Sequence, residues 1–191
     1  MNYTQVYEFE SLIGDIYGVF KYEDLDFKSY KQVRHKDSRW GNENHNRTIY
    51  QTDEYFVKVW DEDYIRANTL PGAFASGFYD STIVPNFVGM IYDENNICRG
   101  YITKECTQLW TREDSTDQNL VRLTDKSDHY IQEMFTKVKR KTLQSRHFAY
   151  DFCEKHTYEF EGKSTLIDLE GVYPIEQYEA LNEHHYNTYT R

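Results

Sequence analysis

The chain has 191 residues, of which 39% are apolar and 17% aromatic, enough to bury the core of one domain or of two small lobes around a cleft. A formal net charge of -10 argues against a surface that holds nucleic acid by neutralising phosphates, and the one basic run, Lys137, Lys139, Arg140 and Lys141, suits a helix C-terminus. Cys98, Cys106 and Cys153 lack the spacing of a zinc or disulfide framework, no leader-like segment opens the chain, and no stretch is apolar for the length of a bilayer. The expectation is a cytoplasmic protein with neither nucleic acid nor membrane as partner.

Taken in chain order, Leu12, Ile13, Ile16, Tyr17 and Phe20 recur at helical spacing and predict a helix starting near Ser11. From Gln32 to Trp60 the texture becomes that of an antiparallel meander, with turns at 41–46 and at Thr52-Asp53-Glu54. Between Asp61 and Ser81, Pro71-Gly72 breaks or offsets any helix. Ile83 to Tyr92 and Ile97 to Thr103 read as two strands joined by the polar turn Asp93-Glu94-Asn95-Asn96. Tyr130, Ile131, Met134, Phe135 and Val138 then form a helical stripe that Ser127 can cap, a stripe whose role is core packing. Two short strands, His156 to Phe160 and Ser164 to Asp168, close around Glu161-Gly162-Lys163.

Three motifs carry chemistry. Lys58 ends the apolar run Tyr55-Phe56-Val57; Asp151 opens Asp151-Phe152-Cys153-Glu154-Lys155-His156; and Asp168 follows Thr165-Leu166-Ile167 and precedes Glu170-Gly171. Together they resemble the chemical core of the protein-kinase-like superfamily, which includes the aminoglycoside and choline kinases: one aspartate positions a hydroxyl, a second holds metal, and a strand lysine holds phosphate. The resemblance runs over residues 41 to 171 in kinase order. It implies an α+β, bilobal fold, with an antiparallel sheet lobe at about 1–105 and a reduced, mainly helical lobe at about 106–191.

The same resemblance assigns roles. Lys58 would pair with ATP phosphates, with Gly41, Asn42 and Asn44 in the covering turn seventeen positions upstream and after. Tyr101 to Cys106 resembles the strand entering the hinge, so backbone groups from Glu105 and Cys106 to Thr107 would meet the adenine edge. Asp151 would orient the acceptor or take its proton. Asp168, with His156 or Glu170, would hold Mg²⁺ or Mn²⁺; His156 stands where the family has asparagine, and imidazole suits manganese better than magnesium. The sequence departs elsewhere too. No glutamate lies between Asp63 and Asp93 to pair with Lys58, glycine is sparse in the covering turn, and Tyr150 and Ala149 replace the residues usual before the catalytic aspartate.

Only 23 residues follow Asp168, which leaves no peptide-holding helices and points to a small hydroxylated acceptor, or a protein partner, and to a reduced, virus-like genome. Two readings stand: an ATP-dependent phosphotransferase, and a pseudokinase that binds nucleotide or protein without catalysis. Gly14 and Gly18 lie too far from Lys58 to act as its glycine loop. Glu183, His184 and His185 read as a solvated tail, and Cys153 as a packing residue.

Overall fold

Seven strands in the first half of the chain form one sheet, in the order β1 (Gln5–Glu10), β2 (Ile16–Lys21), β6 (Phe87–Tyr92), β7 (Cys98–Lys104), β5 (Tyr55–Trp60), β4 (Arg47–Gln51) and β3 (Lys31–His35). This is a computed structural model, and it describes residues 5–10, 16–35, 47–60, 83–112, 120–122, 124–149, 157–167 and 169–177. The chain divides into two compact units, Met1–Cys106 and Thr107–Arg191. Its content is α+β, mostly sheet, with one α-helix among the described residues.

The expected meander is present, β3, β4 and β5 pairing antiparallel in succession. On its other edge the lysine strand β5 pairs with β7 rather than with β6, so Lys58 occupies a central strand. The helix expected from Ser11 is not formed where it can be seen: Ile16–Lys21 is a strand, parallel to β6. Val19 and Phe20 are both buried, on opposite faces of the sheet. A strand buried on both sides needs a continuous apolar run, and such a run also satisfies a helical template. Gly18 and Gly89 face each other in this pairing, and a Cβ on Gly89 would collide with the Gly18 carbonyl and the Phe20 ring.

One face of the sheet carries Phe20, Val57, Val59, Ile91 and Ile102, covered by Leu25 and Tyr30 from the segment after β2. Phe27 adds ring contacts at 5.0 Å to Tyr50 and 5.1 Å to Tyr22. By strand alternation, Lys58, Trp60, Met90 and Tyr101 share the other face, and all four are buried. The β6–β7 turn is organised by Asp93, whose Oδ1 accepts the Asn95 and Ile97 N–H groups at 2.9 Å and whose Oδ2 accepts from Arg99 at 2.8 Å. Residues 83–86, expected as strand, instead turn, with Phe87 N–H donating to the Val84 carbonyl at 3.0 Å; Pro85 cannot donate to a ladder there.

The described residues of the second unit depart from the mainly helical lobe that was expected. They hold one α-helix, α1 (Asp128–Gln144), two 3₁₀ turns and seven short strands. Strands of two to four residues are too short to register as a period in sequence. β8 (Thr107–Gln108), β12 (Thr157–Phe160) and β13 (Lys163–Leu166) form one sheet; β9 (Trp110–Arg112) pairs with β10 (Leu120–Arg122), and β11 (His147–Ala149) with β14 (Val172–Pro174). The β12–β13 hairpin turns through Glu161 and Gly162 with φ of 48° and 76°, the left-handed pair that a two-residue turn requires.

Ser127 caps α1 as expected, its Oγ accepting the Tyr130 N–H at 3.2 Å. Ile131, Met134, Val138 and Thr142 form the buried stripe, with Leu109 packed against Ile131 and Met134. The basic run lies in the second half of the helix, where Lys141 meets the C-terminal carbonyls' end of the dipole. Residues 61–82 and the tail with His184 and His185 lie outside the described residues.

Candidate functional site

Lys58 sits mid-strand in β5, between Val57 and Val59 that face the opposite core. Its side chain is only 5% exposed, and its Nζ lies 5.8 Å from the centre of the Tyr101 ring, directly across the β5–β7 pair. Trp60, two residues on and therefore on the same face, meets that ring edge-on at 6.3 Å. A ring face at this distance contributes to the stabilisation of an ammonium so enclosed.

The C-terminal end of β7 is stapled by hydrogen bonds. The Lys104 N–H donates to the Asn86 carbonyl at 2.7 Å, and the Asn86 amide donates back to the Lys104 carbonyl at 3.1 Å. The Glu105 N–H donates to the Glu54 carbonyl at 3.0 Å, while the Glu105 carboxylate accepts from Gln51 at 3.3 Å. So the backbone donor of Glu105, expected at an adenine edge, is already engaged with the β4–β5 turn. Burial, and then the Glu105 carboxylate, push the Cys106 thiol up to about 12, which leaves it a protonated packing group.

Asp151, His156 and Asp168 lie outside the described residues, as do Gly41, Asn42 and Asn44; Glu170 is placed by its backbone in a short 3₁₀ turn, Leu169–Gly171. What is described is the frame around them. Ala149 pairs with Val172, and Thr157 pairs with Leu166. The segment carrying Asp151 and His156 therefore leaves one strand pair and enters another, and the segment carrying Asp168 and Glu170 joins the same two pairs in reverse. Residues directly opposed in such pairs have Cα atoms about 5 Å apart. Both acidic segments are thus tethered at both ends to common points. Among the described residues no three His, Cys, Asp or Glu side chains gather as a metal site.

This frame is well anchored. Phe148 stacks on Tyr173 at 5.8 Å, the Ile175 N–H donates to the Arg146 carbonyl at 2.9 Å, and Arg146 pairs with Glu176. His147 is buried, its Nδ1 2.8 Å from the Ser145 carbonyl, which assigns that nitrogen as the donor. On the other side, the Tyr130 hydroxyl donates to Glu159 of β12 at 2.9 Å, tying α1 to the hairpin; burial and then that carboxylate raise the phenol above its ordinary range.

A polar hollow of about 490 Å³, lined by Ser29, Tyr30, Lys31, Gln51, Thr52 and Asp53, contains none of the nominated residues. Two features escaped sequence reading: Tyr101 as the cross-strand partner of Lys58, and the β11–β14 pair. Neither has a local signature, because each joins residues more than twenty apart in sequence. No family model, curated protein or solved structure matches the chain.

Proposed function

We propose that the protein is a minimal kinase-like phosphotransferase that moves the γ-phosphoryl group of ATP to a hydroxyl, on a small molecule rather than a folded protein. The observation that carries this reading is the double tether of the segments 150–156 and 167–171 between the β11–β14 and β12–β13 pairs, which holds the ends of two acidic segments together as a two-aspartate site requires. Lys58 on a central strand, a meander before it and a stapled strand end after it support the same order of parts.

In this reading Lys58 binds the nucleotide phosphates and Asp151 orients the acceptor hydroxyl and takes its proton. Asp168 and Glu170 offer hard carboxylate oxygens, and His156 a nitrogen, a donor set that accommodates Mg²⁺ and suits Mn²⁺ better. The metal would neutralise charge on the transferring group. With the Glu105 N–H engaged, the adenine edge would fall to the Glu105 carbonyl and to Cys106.

That engaged donor, together with the enclosure of Lys58, favours a second reading: a pseudokinase that uses the same frame to bind nucleotide or a protein partner. Purified protein incubated with ATP and Mg²⁺ or Mn²⁺ separates the two. The first reading expects slow turnover or autophosphorylation that Asp168→Ala abolishes; turnover unchanged in that variant overturns it. Nucleotide-dependent thermal stabilisation without turnover assigns the second.

A further inference from the structure

A lysine that binds phosphate does so best when its ammonium is already held in one direction before the ligand arrives. We propose that Tyr101 is a positioning residue for Lys58, its ring face holding the ammonium where nucleotide phosphates would meet it. The inference rests on the nucleotide-binding reading above and goes beyond it by naming what aims the lysine.

Four observations carry it. Lys58 and Tyr101 are directly opposed in the β5–β7 ladder, so the backbone brings their Cβ atoms together on one face. The ammonium lies over the ring, 5.8 Å from its centre, inside the range at which a cation is drawn to the negative face of an aromatic quadrupole. Both residues are 5% exposed, so little water weakens the attraction. The ring itself is held: Trp60 meets it at 68° on one side, and Met90, fully buried, opposes it from β6 on the other. A ring wedged between two central strands cannot swing away, and a lysine drawn to its face loses most of its rotamers before any ligand arrives.

The test reads Lys58 directly. In protein with ¹³C-labelled lysine, and no ligand, the Lys58 ε-methylene resonance, assigned through Lys58→Arg, should carry an upfield ring-current shift. Tyr101→Leu should abolish that shift and weaken Mn²⁺–ATP binding by about tenfold, and Tyr101→Phe, which restores the ring face, should recover both. An unmoved Lys58 resonance in Tyr101→Leu overturns the proposal, and so does a moved resonance with unweakened binding in a background where Lys58→Met does bind more weakly. If Lys58→Met binds Mn²⁺–ATP as tightly as the wild type, the nucleotide reading itself fails and the proposal with it. Should Tyr101→Leu not fold, successively fluorinated phenylalanines at position 101 keep the shape and drain the ring face; affinity must fall stepwise with fluorination, and a flat series overturns the assignment.

Discussion

The two units solve the same problem, holding chemically demanding residues in place, by different means. In Met1–Cys106 a charged group is mounted in the middle of a wide sheet: β5 is flanked on both sides, and Val57, Ile91 and Ile102 beneath it have no exposure at all. In Thr107–Arg191 the described residues on either side of positions 150–156 and 167–171 belong to pairs of three- and four-residue strands, Ala149 opposite Val172 and Thr157 opposite Leu166. A packed sheet fixes one side chain by surrounding it. A bracket of short pairs fixes only the points at which the chain leaves and returns.

The largest expected contrast is in local stability. Amides of β5 and β7 should exchange with deuterium about a thousandfold more slowly than those of β11 and β14, because few residues support the short pairs; equal protection would break the comparison. Next in size, Ile102→Ala should destabilise the first unit by about 4 kcal/mol in urea titration, the cost of a cavity that central strands cannot close. Gly89→Val should cost about 3 kcal/mol, since its side chain meets the Gly18 backbone rather than a movable one.

A smaller effect is tied to pH. Burial works against ionisation of Asp93, but the Ile97 N–H, Arg99 and the Asn95 N–H outweigh it and hold the carboxyl below its usual value. A depressed folded value means this stabilisation is complete above the unfolded value, about 3.9, and lost as pH falls through the folded one. Asp93→Asn, which weakens an acceptor of three hydrogen bonds, should cost about 2 kcal/mol at neutral pH and flatten the fall in stability that the wild type shows below the unfolded value. The smallest, Ser127→Ala, should lower stability by about 1 kcal/mol through the lost cap of α1, read by the loss of ellipticity on heating.

How far the sequence alone could be read depended on whether the signal was local. The meander, the Asp93 turn, the Ser127 cap and the hairpin at Glu161-Gly162 were all legible, because a turn or cap is written in adjacent residues. The N-terminal strand was not: Ile16 to Phe20 satisfies a helical stripe and a two-sided strand equally, and only the parallel partner β6, some seventy residues on, decides between them. The helical second lobe failed for a related reason, since strands as short as Thr107–Gln108 exist only because Tyr158 and Glu159 are there to pair with them. Of the candidate site, Lys58 was legible as an apolar-strand lysine. Its neighbour Tyr101 was not, because nothing in Arg99-Gly100-Tyr101-Ile102 says which strand will lie alongside.

By itself, then, the sequence determined the α+β character, the turns and caps, and the chemistry available on each segment, all of which depend on residues close together in the chain. Only the tertiary structure decided strand order, placing β7 against β5 and β14 against β11, and with it which aromatic ring faces Lys58 and which acidic segments share their anchors. The physical reason is that pairing partners are chosen by the summed burial of whole faces, and no single segment carries that sum.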